Sequence, residues 1–259
     1  MRGEMRSVRQ VMGMPVTVEV RDAGADAGVL DRIFHELEMV DRLFSPFLPH
    51  SEVSRIDRGE LALEEADSLV IQVLHLCRLY ELATDGYFSA CRQGRLDPSG
   101  LVKGWALERA CSILDSEGFQ HYLVDGAGDV RTRRPPGAGR PWRVGIRHPV
   151  QRDRVVRVIE ADDLAVATSG TYEKGAHVVD PHSGRPATEW VSFTVVGPDI
   201  LEADVYATAA LAMGQRGLWF VEALPRYEAY AIDTELKGSW TSGFPARKRP
   251  PECPDAGRP

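Results

Sequence analysis

The hydrophobic pattern of the chain changes near Gly118, and this change constrains the fold more than any other feature. Before it, apolar residues recur every three or four positions over Asp26–Phe44, Ala66–Ala83 and Ser99–Ser116, which predicts three amphipathic helices. After it, short apolar segments predict strands, followed by a helix over Glu202–Met213 and a shorter helix beyond it. Helices and strands are segregated along the chain and do not alternate, which favours an α+β fold.

The same patterns divide the chain into one domain and a tail. The predicted strands are Val16–Val20, His121–Val124, Val130–Arg134, Trp142–Ile146, Val155–Ile159, Leu164–Ala167, His177–Val179, Val191–Val196, Tyr230–Asp233 and Ser239–Thr241. We expect the folded domain to cover residues 1–244. The last stretch, 245–259, is rich in proline and charge and is predicted to be a disordered tail.

The composition excludes several classes of protein. The 259 residues include 31 Lys+Arg and 38 Asp+Glu, a net charge of -7, which argues against a nucleic-acid binder because such proteins need a basic surface. No segment approaches the roughly 18 apolar residues of a membrane span, and the N-terminus lacks the apolar core of a signal peptide. The four cysteines show no metal-binding spacing. We expect a soluble, cytoplasmic protein.

One segment departs from the acidic average. Nine arginines lie between Arg131 and Arg157, and a single acid, Asp153, opposes their charge. Alternating charge often protects exposed strands, so a solvated hairpin explains the segment. A docking surface for an acidic partner or an anionic ligand is the alternative.

Four further segments place phosphate-compatible groups at the edges of hydrophobic elements: Asp97–Gly104, Ala167–Gly170, His177–Gly184 and Ala203–Thr208. The first stands at a loop-to-helix junction, where free N–H groups can bind phosphate. Lys103 there could neutralise a phosphate oxygen or pair with a carboxylate. A plain N-cap by Asp97 or Ser99 is the alternative explanation.

The other three segments supply hydroxyls, an imidazole and a carboxylate. His177, which follows the hydroxyl-rich Thr168–Gly170 closely, is suited to general-base chemistry or ligand contact, although a single histidine is often structural. Asp204 and Thr208 are four residues apart on a predicted helix, and their oxygens suit Mg²⁺. An Asp favoured by the helix dipole in the first turn and a Thr bonded to its own backbone are the alternative explanation, which the pair taken alone favours. The turn over Asp125–Asp129 lacks the third glycine of a dinucleotide-binding motif and leads to a strand, so we interpret it as a hairpin turn.

In combination and in this order, the motifs resemble those of the ApbE family, the FAD:protein FMN transferases. The resemblance runs from about Met12 to Trp240. It is carried by the four segments above and by three further motifs, Met12-Gly13, Ser45-Pro-Phe47 with Ser51-Glu-Val-Ser-Arg55, and Thr84-Asp-Gly86-Tyr-Phe88. It implies a single ApbE-like, T-fold-related domain with mixed or antiparallel sheets and packed helices.

The resemblance also implies roles for individual residues. The candidate FAD-contacting residues, including the hydroxyl-rich segment, are Met12, Phe47, Tyr87, Phe88, Ser89, Asp97, Lys103, Thr168, Ser169, Gly170, His177 and Val178. The implied ligands of a divalent cation, Mg²⁺ with Mn²⁺ as the alternative, are the Gly100 carbonyl, Asp204 and Thr208. Lys103 is the candidate for charge compensation and His177 for the general base, a role that Asp180 or Asp97 could share.

The implied reaction of this bacterial family transfers the FMN part of FAD to a Ser or Thr hydroxyl of a target flavoprotein and releases AMP. Mg²⁺-dependent FAD pyrophosphatase activity and a non-catalytic FAD carrier are the alternatives. The sequence departs from the family pattern in places: Ser89 stands where relatives often have Asp, Phe47 where they commonly have Tyr, and the segment between Phe88 and Asp97 is short. There is no lipobox, so we expect a target flavoprotein that is reachable from the cytoplasm.

Overall fold

The structure is organised around a large antiparallel sheet. The computed structural model describes residues 4–92, 94–134, 139–151, 153–171 and 179–244. In chain order the strands are β1 (Met5–Val11), β2 (Met14–Val20), β3 (Cys91–Arg92), β4 (Arg95–Leu96), β5 (Tyr122–Gly126), β6 (Asp129–Arg133), β7 (Arg143–Arg147), β8 (Val155–Glu160), β9 (Ala165–Gly170), β10 (Trp190–Gly197), β11 (Glu228–Asp233) and β12 (Gly238–Trp240). Eight of them form one sheet in the order β1-β2-β5-β6-β9-β10-β11-β12, with each neighbouring pair antiparallel.

The helices connect strands that are adjacent in the sheet. They are α1 (Ala27–Phe44), α2 (Glu52–Asp57), α3 (Ser68–Ala83), α4 (Ser99–Ser116), α5 (Ile200–Ala212) and α6 (Arg216–Glu222). The first four lie in the connection from β2 to β5, and the last two in the connection from β10 to β11. Asp26 and Asp199 begin α1 and α5 as N-caps, because their carboxylates accept hydrogen bonds from the amides of Val29 and Glu202 at 3.0 Å.

The two faces of the sheet are covered by different layers. Alternate residues of a strand point to opposite faces, so Ala165 and Ala167 of β9 pack in the large core with the helices. Val166, between them, belongs to a smaller core on the other face, where the hairpin β7–β8 packs through Val144 and Ile159. The strand β9 therefore lies between a helical layer and a β-hairpin layer.

The structure confirms the predicted α+β class. The helices predicted at Asp26–Phe44 and Ser99–Ser116 are present with bounds that agree to within one residue. The sequence patterns did not predict β1, α2 or the two-residue strands β3 and β4. Most of the predicted strand over 177–179, and the predicted tail over 245–259, lie outside the described residues, so the domain boundary at 244 stays a prediction.

The arginine-rich segment forms β6 and the hairpin β7–β8, and acids elsewhere in the chain offset part of its charge. Arg131 is 3.0 Å from Asp163, and Arg134 is 2.5 Å from Asp162. Arg133 pairs with Asp115 at the end of α4. The ion pairs offset the charge of these three arginines, and the two alternatives for the segment, a solvated hairpin or a docking surface, stay predictions.

Candidate active site

Lys103 of α4 lies between two buried carboxylates. Its Nζ atom is 2.5 Å from Oδ2 of Asp129, the first residue of β6, and 3.5 Å from Oδ1 of Asp204 on α5. The aspartates are only 1% and 3% exposed. We call these three residues the Lys103 cluster. It joins three separate elements, and with all three side chains ionised it carries one more negative than positive charge.

The close approach of α4 and α5 explains how Asp204 reaches α4. A Cβ atom on Gly104 would stand 2.8 Å from Cα of Leu201 and 2.9 Å from the carbonyl oxygen of Ile200, so only glycine fits there. The Gly104 amide donates a hydrogen bond of 3.0 Å to Oδ2 of Asp204. Absence of a side chain at residue 104 is therefore what lets the two helices touch beside the cluster.

Burial and charge act together on the ionisation of the cluster. Burial raises the pKa of Asp204 above its ordinary value; the Lys103 ammonium opposes this shift, and the Asp129 carboxylate adds to it. Burial alone would lower the pKa of Lys103, but Asp129 and Asp204 outweigh it, and the pKa of Lys103 is raised. Lys103 is thus a cation at neutral pH, and a further cation beside Asp204 would favour its ionised form.

The other two candidate metal ligands stand near Asp204. In an α-helix the amide of residue 104 faces the carbonyl of residue 100, so the Asp204 carboxylate that contacts the Gly104 amide lies beside the Gly100 carbonyl. Thr208 is one helical turn beyond Asp204, and its hydroxyl is 3.0 Å from the hydroxyl of Ser169 on β9. The structure brings Gly100, Asp204, Thr208 and Ser169 into one region.

This donor set fits a hard divalent cation. Carboxylate, hydroxyl and carbonyl oxygens are the ligands that Mg²⁺ prefers, and the excess negative charge of the Lys103 cluster is what a cation would neutralise. Within the described residues, no group of three or more His, Cys, Asp or Glu side chains is arranged to hold a metal. A cation at Asp204 would therefore depend on neutral oxygens, water or phosphate for its remaining ligands.

The end of β9 is tied to the cluster through Asp129. The amide of Thr168 donates to Oδ1 of Asp129 at 3.0 Å, and the hydroxyl of Thr168 is 2.9 Å from that of Thr194 on β10. Gly170 pairs with Ser192 at the end of the same ladder. The predicted hydroxyl-rich segment thus lies directly beside the Lys103 cluster.

The candidate flavin-contacting residues 87–89 contact three helices, α3, α4 and α6. Phe88 is 2% exposed, and a Cβ on Gly100 would stand 3.3 Å from its ring, so this ring covers the start of α4. The Tyr87 hydroxyl accepts a hydrogen bond from Arg216. The Ser89 hydroxyl donates to Glu81 at 3.1 Å. Of the three, Phe88 contacts the helix that carries Lys103.

Two candidate acids are engaged in their own turns. Asp97 accepts a hydrogen bond of 3.1 Å from the Ser99 amide, but Pro98 is the N-cap residue of α4, so the alternative of an N-cap at Asp97 or Ser99 is wrong. Asp180 accepts from the His182 amide and from the Ser183 hydroxyl. Its slight burial would raise the pKa of Asp180, but these hydrogen bonds outweigh burial and lower it. Asp180 is therefore a weak base.

The remaining candidates lie in turns or outside the described residues. Met12 has a φ of 55° and forms the β1–β2 turn with Gly13, and its side chain packs against the large core. Phe47 lies on the loop between α1 and α2 with 88% of its surface exposed, so its ring is available to a ligand. His177 and Val178 lie outside the described residues, and their predicted roles stay predictions.

The sequence analysis missed three residues that the structure places among the candidates. Asp129 was interpreted only as part of a hairpin turn, which it does close, but its carboxylate holds Lys103. His182 packs on the Tyr87 ring, with ring centroids 4.6 Å apart, and Arg216 lies above the same ring. For Asp129 a sequence signal was available, because an acid there follows a two-residue turn and begins a buried strand. No sequence signal pointed to Arg216.

Comparison with known proteins identifies the family. The model of the ApbE family matches residues 12–93 and 90–231, which is most of the chain. This protein therefore belongs to the ApbE family. In the described residues, no helix combines the length and the apolar character that crossing a membrane requires.

Relatives and solved structures agree with this assignment. The chain is 35% identical over 162 residues to the FAD:protein FMN transferase of Vibrio cholerae, and 33% identical over 129 residues to that of Escherichia coli K12. These matches cover 58% and 46% of this chain but 48% and 37% of the relatives, so the chain spans about half or less of their length. The V. cholerae flavin transferase ApbE superposes with a TM-score of 0.79 at 24% identity, covering 93% of this chain and 98% of that one. The Thermotoga maritima apbe protein gives 0.82 at 22%, with the same coverage. At these identities the superpositions establish the fold.

Proposed function

We propose that this protein is an FAD:protein FMN transferase, which attaches FMN to a Ser or Thr hydroxyl of a target flavoprotein and releases AMP. Membership of the ApbE family and the names of its relatives support the reaction class. The single observation that carries the proposal at the level of residues is the buried Asp204 carboxylate, which contacts α4 beside Gly100 and Lys103. A buried acid with a raised pKa at the meeting of two helices is typical of a functional site.

The chain's residues would hold the cation and the substrate in this reaction. Asp204, Thr208 and the Gly100 carbonyl would bind Mg²⁺, or Mn²⁺ in its place. When bound, the metal supplies Lewis-acid stabilisation of the negative charge on the diphosphate. Phe47, which is 88% exposed, and Phe88, which covers the start of α4, are proposed to contact the flavin.

The transfer itself exchanges one P–O bond for another. The acceptor oxygen forms a bond to the FMN-side phosphorus of FAD, the bond from that phosphorus to the bridging oxygen breaks, and AMP leaves with the bonding electron pair. The proton of the acceptor hydroxyl passes to a base. Orientation of the two reactants for in-line attack is the main contribution that fixed side chains can make.

His177 is our candidate for that base. Asp180 is a weaker candidate because its hydrogen bonds lower its pKa. The Asp97 carboxylate already accepts a hydrogen bond from the Ser99 amide. We therefore expect His177→Ala to slow transfer more than it weakens FAD binding, and an equal loss of both would contradict the base role.

One experiment separates the three possible activities. The purified protein is incubated with FAD and Mg²⁺, with and without a candidate flavoprotein, and the products are resolved by chromatography and mass spectrometry. Covalent flavin on the flavoprotein together with AMP is the expected result. Free FMN with AMP as the main products would indicate a pyrophosphatase, and unchanged FAD would indicate a carrier.

A cytoplasmic location stays a prediction from the sequence.

A further inference from the structure

We propose that Asp129 is a positioning residue: it takes the closer ion pair with the Lys103 ammonium, so that the cluster keeps a net negative charge beside Asp204 for a divalent cation. This inference rests on the proposed function, because it assumes that Asp204 binds the metal. It concerns a residue that the family resemblance in the sequence did not single out.

The distances show how Lys103 is shared. The ammonium is 2.5 Å from Asp129 but 3.5 Å from Asp204, so Asp129 has the closer ion pair. Asp129 and Asp204 are buried to a similar degree, at 1% and 3% exposed. A difference in their exposure to solvent therefore does not explain why Lys103 lies closer to Asp129. The lysine side chain is drawn toward β6 and away from α5.

Asp129 is itself held in place by the sheet. Its Oδ1 accepts the Thr168 amide at 3.0 Å, while its Oδ2 faces Lys103. One carboxylate therefore binds the neighbouring strand with one oxygen and the ammonium with the other. Such a fixed outer partner is what orients the groups that surround a bound metal.

The charges give this arrangement its consequence. Two carboxylates and one ammonium leave one net negative charge, which suits a cation. Without the charge of Asp129, the ammonium has only Asp204 as a partner, and the pair becomes neutral. The two aspartates are buried, so solvent only weakly compensates for a carboxylate charge that is lost there. The affinity of Asp204 for a cation then falls, although none of its proposed ligands has changed.

The alternative is that the Lys103–Asp129 pair only stabilises the fold. The two possibilities differ when the lysine is also removed. If Asp129 acts by restraining the ammonium, a chain that lacks both charges again has a free Asp204 carboxylate and recovers its metal affinity. If the pair is only structural, removal of both partners restores no binding.

The test is a Mn²⁺ titration of the full chain, followed by the electron paramagnetic resonance signal of free Mn²⁺. Asp129→Asn keeps an oxygen for the Thr168 amide and is expected to weaken Mn²⁺ binding by at least about ten-fold, as loss of an outer partner typically does. The double variant K103M/D129N is expected to return to within about three-fold of the wild type. Asp125→Asn is the matched control: it removes one acid from the same hairpin turn, and its carboxylate accepts the Gly128 amide. We expect it to change the affinity by less than about three-fold.

Each outcome separates this inference from the proposed function. Failure of the wild type to bind Mn²⁺ would refute the metal site, and with it the metal-dependent part of the proposed function. Wild-type binding that Asp129→Asn leaves unchanged, or that the double variant does not recover, would overturn only the role of Asp129. If Asp129→Asn does not fold, Lys103→Met decides: it should bind Mn²⁺ at least as tightly as the wild type, and a weaker affinity would overturn the proposal.

Discussion

The amide of Gly104 and the carboxylate of Asp204, one hundred residues apart in the chain, are joined by a hydrogen bond of 3.0 Å. The bond requires α4 and α5 to touch, and they touch at a glycine. Packing of the helices and geometry of the candidate site therefore depend on the same position.

Gly104→Ala is expected to destabilise the protein. Alanine is favoured over glycine in a helix by about 1 kcal/mol, but here its Cβ would stand 2.8 Å from Leu201 Cα, and overpacking of this kind costs about 1–3 kcal/mol. We expect a lower urea midpoint together with weaker Mn²⁺ binding. Ser112→Ala, at an exposed position of the same helix, is the control and should leave both unchanged. Greater stability of Gly104→Ala would show that the helices separate easily.

Asp204→Asn is expected to abolish metal-dependent turnover of FAD. The amide keeps the shape of the side chain but removes the charge, so we expect a fall in kcat/KM of at least about 100-fold, at the upper end of what groups around a metal contribute. The matched control is Asp199→Asn on the same helix, because Asn serves as an N-cap about as well as Asp. Turnover at the wild-type rate in Asp204→Asn would refute the metal assignment.

Glu108→Gln is expected to increase stability, and more so as the pH rises. Burial raises the pKa of Glu108, and its Oε2 atom is buried without a hydrogen-bond partner among the described residues. A carboxyl with a raised folded-state pKa supports folding while protonated, and that support is lost as pH rises through the folded pKa. The melting temperatures of variant and wild type should therefore be close at pH 4 and diverge toward pH 8, with the variant higher.

The exposed Glu64→Gln removes the same charge and serves as the control for Glu108→Gln. A pH-dependent gain that appears equally in the control would indicate a general effect of net charge. A variant of Glu108 that is less stable than the wild type at pH 8 would contradict the prediction directly.

The cysteines are expected to differ sharply in reactivity. Cys91 is exposed, whereas Cys77 and Cys111 are buried. Burial raises the pKa of Cys77 to about 12, so its thiolate fraction at pH 8 is on the order of one in ten thousand. Burial also raises the pKa of Cys111. Alkylation by iodoacetamide at pH 8, followed by peptide mass spectrometry, should modify Cys91 before Cys77 and Cys111. Early labelling of Cys77 would indicate that α3 opens readily.

Local signals made much of the fold predictable. The Asp26 N-cap and the apolar stripe that follows it predict α1. The helical spacing of apolar residues from Ser99 to Ser116 predicts α4. The strand β1 was missed because most of its residues are exposed or half-buried, so it shows no apolar alternation. The helix α2 was missed because six residues after a proline-rich stretch are too few to establish a period.

The candidate site was predictable only in part. Asp204 and Thr208 share a helix face, and their four-residue spacing made that visible. The partnership of Lys103 with Asp129 depends on the order of strands in the sheet, because β6 must lie next to β9 for the Thr168 amide to fix the carboxylate. Short-range sequence patterns carry no information about that order.

The position of β9 between two layers has a consequence for how variants of this protein should be sought. Successive residues of the strand face different neighbours, with Ser169 toward α5 and Val166 toward the β7–β8 hairpin. Repacking of the hairpin can displace the strand end that carries Thr168, even though β7 and β8 hold none of the candidate ligands. Libraries aimed at altered turnover should therefore randomise the distal hairpin interface as well as the residues of the proposed metal site.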